Sequence, residues 1–246
     1  MRRPDWKVLL GISLVVLSAF FYLVHFFIFR DAHHIFIYLV GDVAFVFVEV
    51  LLVTLIIHRL LSQREKRTKL EKLNMVIGTF FSEAGTELLA AFSDADPNLD
   101  SIREKLIVDT EWTDADFLQV RRDLRKYHYD VQIPRINLSE LHRFLAEERD
   151  FLVRLLENPV LLEHEKFTDL LRAVFHLAEE LANREEIQGL PDSNLQHLSG
   201  DVRRAYVLLA QQWLDYMKYL QGNYPYLFSL AMRTNPFDRK ATAIIS

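Results

Sequence analysis

The sequence predicts an all-α membrane protein, in which an N-terminal hairpin of two transmembrane helices precedes a cytoplasmic α-helical bundle. Two long apolar stretches lie within the first 58 residues of the 246-residue chain. The remainder has apolar residues at helical spacing and few runs that alternate as strands do. These observations divide the chain into a hairpin over 1–58, a juxtamembrane helix over 59–93 and a helical bundle over 94–246.

The first apolar stretch, Val8–Phe29, contains 22 residues and no formal charge. At a rise of about 1.5 Å per residue it reaches about 33 Å, enough for a hydrocarbon core of roughly 30 Å. A cleaved signal peptide is the competing interpretation, but the apolar core of such a peptide has only about 7–15 residues. The second stretch, Ile35–Ile57, is of similar length. The sequence therefore predicts membrane spans over about 8–29 and 35–57.

The charges that flank the two spans predict their orientation. Only residues 30–34 separate the spans, so both chain ends must lie on the same side of the bilayer. Three cations precede the first span, and a basic cluster follows the second, with members Arg59, Arg64, Lys66, Arg67 and Lys69. The positive-inside rule then places both termini in the cytoplasm of an inner-membrane protein. The basic cluster is predicted to contact lipid headgroups, although such residues are also the ordinary flank of a span.

Two carboxylates, Asp42 and Glu49, interrupt the apolar pattern of the second span. On insertion scales a carboxylate near the bilayer centre costs on the order of 2.5–3.5 kcal/mol, so these groups need polar partners or protonation. Their spacing of seven residues places them on one helix face. Depth counting brings His25 of the first span near Asp42, which predicts a hydrogen bond between the two. Gly41 would let a partner backbone approach closely.

Three interpretations of these intramembrane groups stay open. The favoured one is contact between helices, within one hairpin or between hairpins of a homo-oligomer. The second is an oligomer around a polar seam that conducts ions, which needs several copies because two spans cannot enclose a pathway. The third is proton sensing by His25 and Asp42.

The second span is predicted to continue into the cytoplasm as one helix over about 35–93. Apolar residues recur near heptad spacing, as in a coiled coil, at Leu70, Leu73, Ile77, Phe80, Ala84, Leu88 and Ala91. Gly78, Ser82 and Gly85 form a line of small residues on this helix. Because glycine weakens a helix interior, the line predicts close packing against another helix. A ligand that approaches the backbone there is the alternative.

Capping residues predict further helices in the bundle. Thr113 is placed to cap a helix over 114–128, and Asn137 with Glu140 forms a capping box for 138–157. Periodic segments also predict helices over about 163–183, 194–221 and 224–233.

The sequence predicts no catalytic, metal or cofactor site. It has no cysteine, no glycine-rich phosphate loop and no Glu three residues before a His, the spacing of di-iron bundles. Each of the nine histidines is interpreted as a surface or packing residue. The tripeptide Asn235-Pro236-Phe237 matches a short peptide-recognition motif, but a turn after the last helix is favoured.

The charge distribution argues against nucleic-acid binding. The chain has a net charge of −5. Residues 1–58 have a net charge of zero, and residues 59–72, which include the basic cluster and Lys72, have a net charge of +4. Residues 73–246 therefore carry −9. A domain this acidic lacks the phosphate-neutralising face that nucleic acid requires.

The chain resembles uncharacterised prokaryotic membrane proteins with two transmembrane helices and a cytoplasmic α-helical domain. The resemblance lies in residues 34–61, residues 74–89 and the Asn235-Pro236-Phe237 tripeptide. The resemblance implies the two-span topology. It implies no activity and carries no functional residue to this chain.

The function favoured by the sequence is that of a non-enzymatic, oligomeric membrane protein whose cytoplasmic helical domain binds a protein partner or signals. An ion-conducting or proton-linked assembly built on Asp42 and Glu49 is the alternative. A membrane-bound enzyme has no motif in its support.

Overall fold

The structure, a computed structural model, describes residues 6–162, 164–184 and 186–244. These residues divide into two units, one up to Lys66 and one from Arg67 onward. Every element in the described ranges is helical, which confirms the predicted all-α fold class.

The first unit contains helix α1, Trp6–Phe29, and the start of helix α2, Ala32–Phe80. Arg30 adopts a left-handed backbone conformation with φ of 51°, and its N–H donates to the Phe26 carbonyl at 2.8 Å. The Asp31 carboxylate then accepts the His33 N–H at 2.9 Å. These contacts end one helix and begin the next within two residues, as the short connection predicts.

Both helices of the first unit are long and apolar enough to cross a membrane. Their side chains cover little of each other: among residues 6–61, Val24, His25 and Ile35 are half-buried and the rest are exposed. The hairpin therefore does not bury its apolar faces within this unit.

A π-helical turn follows α2, where the sequence predicted an uninterrupted helix. It spans Phe81–Gly85 and leads into α3, Thr86–Asp94. A Cβ on Gly85 would lie 2.6 Å from Phe80 Cε1, so only glycine accommodates the ring there. Because a π turn inserts an extra residue, the buried face shifts from the predicted stripe, and Ala91 is exposed while Phe92 is fully buried.

The remaining helices lie close to their predicted positions except helix α7, Pro159–Leu162, which the sequence did not predict. They are α4 at Asp114–Lys126, α5 at Leu138–Glu147, α6 at Arg149–Leu156, α7 at Pro159–Leu162, α8 at Glu165–Ala182, α9 at Asp192–Asn223 and α10 at Pro225–Arg233. The predicted cap of α5 is confirmed, since Asn137 Oδ1 accepts the Glu140 N–H at 3.2 Å. One predicted helix, over 138–157, is divided into α5 and α6 at Glu148.

Helix α9 lies at the centre of the second unit, packed against α3, α4, α8 and α10. Its buried side chains include Tyr206 and Leu209, which are fully enclosed. Helix α8 supplies the opposite face of this core with Phe167, Leu170 and Leu177. The α8–α9 pair therefore forms the main packed layer of the unit.

The Asn-Pro-Phe segment is a buried turn after α10, as favoured from the sequence. Asn235 Nδ2 donates to the Leu106 carbonyl at 2.8 Å, and Asn235 Oδ1 accepts the Phe237 N–H at 2.9 Å. Phe237 is fully buried against Trp213, with ring centroids 5.0 Å apart. The segment therefore anchors the end of the chain to the core.

Candidate functional site

The predicted intramembrane polar groups are all found on the first unit. Asp42 and Glu49 are exposed, and neither makes a hydrogen bond or ion pair with a described residue. His25 and Asp42 line one hollow between α1 and α2, but the predicted hydrogen bond between them is not formed. His25 instead stacks on His34, with ring centroids 5.8 Å apart, and its Nδ1 has no described partner.

The predicted basic cluster is fully exposed along α2. Arg67 Nε donates to Glu71 Oε1 at 3.1 Å, a surface pair that restrains one side chain without burying it. The contact of this cluster with lipid headgroups stays a prediction. Arg2 and Arg3, which also support the predicted orientation, lie outside the described residues.

The predicted small residues differ in their surroundings. A Cβ on Gly78 would lie 2.9 Å from the Tyr216 hydroxyl, so the Tyr216 side chain of α9 lies against the backbone of α2 there. Gly85 accommodates the Phe80 ring in the π turn. Ser82 is exposed, and a Cβ placed on Gly41 would have no atom within 4 Å.

One pattern occurs twice in the sequence of the second unit and was not among the predicted sites. His176-Leu177 on α8 is followed by Glu180, and His197-Leu198 on α9 is followed by Asp201. In each helix the histidine and the acid are four residues apart, which places them on one face. Both leucines are fully buried, so each histidine lies at the rim of the α8–α9 interface.

The structure brings these four side chains together, and they are named here the His–acid cluster. His176 Nε2 lies 3.7 Å from Asp201 Oδ1 and 4.0 Å from Glu180 Oε1. His197 Nε2 lies 3.3 Å from Asp201 Oδ2 and 3.6 Å from Glu180 Oε2. Ligand atoms of His176, His197 and Asp201 all lie within 4.8 Å of one another, which makes them a candidate metal-binding group.

Two arginines fix the carboxylates of the His–acid cluster. Arg204 Nη1 donates to Asp201 Oδ1 at 2.9 Å, and Arg184 Nη1 donates to Glu180 Oε2 at 2.9 Å. The hydrogen bond from Arg184 lowers the pKa of Glu180 below its ordinary value, aided by the nearby histidines. Glu180 is therefore a carboxylate at neutral pH, able to bind a cation.

A second set of polar side chains connects Asp96 to Tyr206 of α9 through Tyr127 and Tyr129. Tyr127 donates to Asp96 Oδ2 at 2.7 Å, while burial raises the pKa of Asp96 above its ordinary value despite that bond. The Tyr129 and Tyr206 rings meet edge to face at 5.0 Å, and neither hydroxyl has a described hydrogen-bond partner. Burial raises the pKa of both tyrosines, and the negative charge of Asp96 adds to the effect.

The fold and these sites define an all-α protein with an apolar pair of long helices and a separate helical unit. Residues 2–61 match the family described as the N-terminal helical domain of MJ1433, and residues 69–233 match that of its C-terminal helical domain. The chain is 46% identical over 244 residues to the uncharacterized protein MJ1433 of Methanocaldococcus jannaschii, covering 99% of this chain and 98% of that protein. The chain belongs to the MJ1433 family. No solved structure matches it, and the family description brings no activity to it.

Proposed function

We propose that this protein is a non-enzymatic, oligomeric membrane protein whose helical unit lies in the cytoplasm and binds a protein partner or signals. The main support for the proposal is that the apolar side chains of the first unit are exposed, because the most apolar stretch of each long helix has no buried residue. Leaving a Val, Leu, Ile or Phe side chain in water instead of burying it costs about 1.5–3 kcal/mol. A bilayer removes that cost for the whole surface of both helices.

The exposed apolar side chains of α10 support a protein partner for the helical unit. Tyr226, Leu227 and Leu230 are all exposed on this one short helix. Aromatic and aliphatic groups that share an exposed face are typical of the centre of a protein interface.

The proposed orientation predicts which residues can be labelled from outside the cell. The chain has no cysteine, so Ala32→Cys and Thr68→Cys each create a single reactive thiol. In intact cells a membrane-impermeant maleimide should label Ala32→Cys, because the connection between the helices faces outward. Thr68→Cys should react only after the membrane is permeabilised.

The two cysteine variants control for each other, since both positions are exposed in the structure. If Thr68→Cys alone were labelled in intact cells, the orientation of the chain would be the opposite of the one proposed. Recovery of the wild-type chain in the soluble fraction, without detergent, would remove the membrane proposal itself.

The unpartnered carboxylates support the proposed oligomer. Asp42 and Glu49 are exposed on α2 and have no described partner, and Gly41 leaves the backbone beside Asp42 open. In lipid a carboxylate without a partner is unfavourable, so contact with a second copy of the chain would stabilise both groups. Interhelical hydrogen bonds of this kind contribute about 0.6–2 kcal/mol each in membranes.

The double variant Asp42→Asn/Glu49→Gln should therefore associate more weakly in detergent than the wild type does. Mass measurement by light scattering over a dilution series reports the shift toward smaller species. Glu65→Gln/Glu71→Gln is the matched control, because it also removes two negative charges from α2, beyond the apolar stretch. A double variant with wild-type mass and wild-type thermal stability would contradict the role of these carboxylates.

A further inference from the structure

We propose that the His–acid cluster binds one divalent transition-metal ion, zinc in the first place, which fastens α8 to α9. The inference goes beyond the proposed function, since it concerns the helical unit and is independent of the membrane. The four ligands are His176 and Glu180 from α8 with His197 and Asp201 from α9.

The side chains of the His–acid cluster lie close enough together for one metal ion to contact them. Around a zinc ion with bonds of about 2.0–2.2 Å, tetrahedral donor atoms lie about 3.3–3.6 Å apart. Of the two oxygens that the arginines leave free, Asp201 Oδ2 lies 3.3 Å from His197 Nε2 and Glu180 Oε1 lies 4.0 Å from His176 Nε2. Ligand atoms of His176, His197 and Asp201 all lie within 4.8 Å of one another. Rotation of the imidazoles would shorten the longer distances, since the His176 and His197 side chains are 44% and 56% exposed.

Asp201 supplies a second and independent observation. Its side chain is only 3% exposed, yet its Oδ2 makes no hydrogen bond with any described residue. A buried carboxylate oxygen without a hydrogen bond is costly, and native structures rarely retain one without a reason. Oδ2 faces the imidazole of His197, which is where a shared metal ion would lie.

The arginines leave one oxygen of each carboxylate for the metal. Arg204 donates to Oδ1 of Asp201 and Arg184 donates to Oε2 of Glu180, so Oδ2 and Oε1 remain for coordination. Outer contacts of this kind hold ligating carboxylates in a fixed orientation in metalloproteins. Arg204 lies on α9 with Asp201, whereas Arg184 follows the C-terminal end of α8, which carries Glu180.

The donor set favours zinc over the hard cations. Two imidazoles with two carboxylates suit zinc and its first-row neighbours, whereas magnesium and calcium prefer oxygen ligands alone. Four protein ligands leave no open coordination position, which is typical of a structural and not a catalytic zinc site. The ion therefore stabilises the α8–α9 layer.

Metal titration of the full chain in detergent tests the proposal, with the chain purified on a tag that contains no histidine and stripped with EDTA. Elemental analysis should find one zinc ion per chain after zinc is added and the excess is removed. Cobalt should give the strong visible absorption of tetrahedral coordination. At a zinc concentration one hundred times Kd, the melting temperature should rise by roughly 5–10 °C, and equal magnesium should leave it unchanged.

The variants His176→Gln and His197→Gln should each weaken zinc binding by more than the roughly 10–100-fold that loss of an outer contact costs. Because both imidazoles are about half exposed, the metal-free melting temperatures should stay near that of the wild type. His128→Gln is the matched control, an exposed histidine of the same unit outside the cluster. A wild-type chain that retains no zinc, or a His176→Gln/His197→Gln chain that binds it as the wild type does, overturns the proposal.

Discussion

Replacing Phe237 with alanine should lower the free energy of unfolding by about 3–5 kcal/mol, because it removes a fully buried aromatic ring and leaves a cavity. The ring lies edge to face against Trp213, with centroids 5.0 Å apart. The backbone around it is also fixed, since Arg103 Nη1 donates to the Phe237 carbonyl at 3.0 Å. Chemical denaturation of the full chain in detergent, followed by tryptophan fluorescence, measures the loss.

Leu118→Ala is the matched control for this substitution. Leu118 lies on α4 and is 49% exposed, so its truncation should change stability by less than about 1 kcal/mol. If Phe237→Ala lowered the free energy of unfolding by no more than this control, the Asn235-Pro236-Phe237 segment would not be packed against the core. Its Asn-Pro-Phe residues could then be available to a peptide-binding partner, contrary to their burial here.

The terminal segment illustrates what the sequence can predict and what it cannot. The composition of Asn235-Pro236-Phe237 predicts a turn, since Asn and Pro both favour one. The anchor of that turn cannot be predicted from its own residues, because Asn235 donates to Leu106, which is 129 positions away. Burial of a polar side chain depends on a distant carbonyl that only the fold supplies.

Most of the helices were predictable because they carry their own signals, whereas α7 and the division between α5 and α6 were not predicted. The cap at Asn137 and the apolar spacing of the long segments are local properties, so they give helix positions without knowledge of the fold. The π turn was not predictable in this way. It depends on how the rings of Phe80 and Phe81 pack around Gly85, and it moves Ala91 out of the buried face.

The sequence could predict the spacing within each histidine–acid pair of the His–acid cluster, but not that the two pairs meet. The spacing of four between His176 and Glu180, and between His197 and Asp201, is visible in the sequence. That spacing is common on exposed helix faces, so it does not distinguish a ligand pair from a solvated one. The decisive fact is that α8 and α9 pack together in a register that makes the two pairs face each other.

The stability of the wild-type chain should fall steeply above pH 10, because Tyr129 and Tyr206 must stay protonated in the folded state. Burial raises the pKa of both hydroxyls above the value of about 10 that they have in the unfolded chain. Stability from these groups is complete below pH 10 and is lost as the pH rises toward the folded pKa values. Each tyrosine contributes a slope of about 1.4 kcal/mol per pH unit, or about 2.7 for the pair.

The double variant Tyr129→Phe/Tyr206→Phe should remove this part of the slope, and denaturation at pH 8, 10 and 11 measures it. At pH 8 the variant should be about as stable as the wild type, since neither hydroxyl makes a hydrogen bond with a described residue. Tyr226→Phe, at a side chain that is 71% exposed, should leave the wild-type pH dependence unchanged. If the double variant lost stability at pH 8 and kept the wild-type slope, the hydroxyls would be bonded in the folded state and able to ionise there, against the burial that the structure gives them.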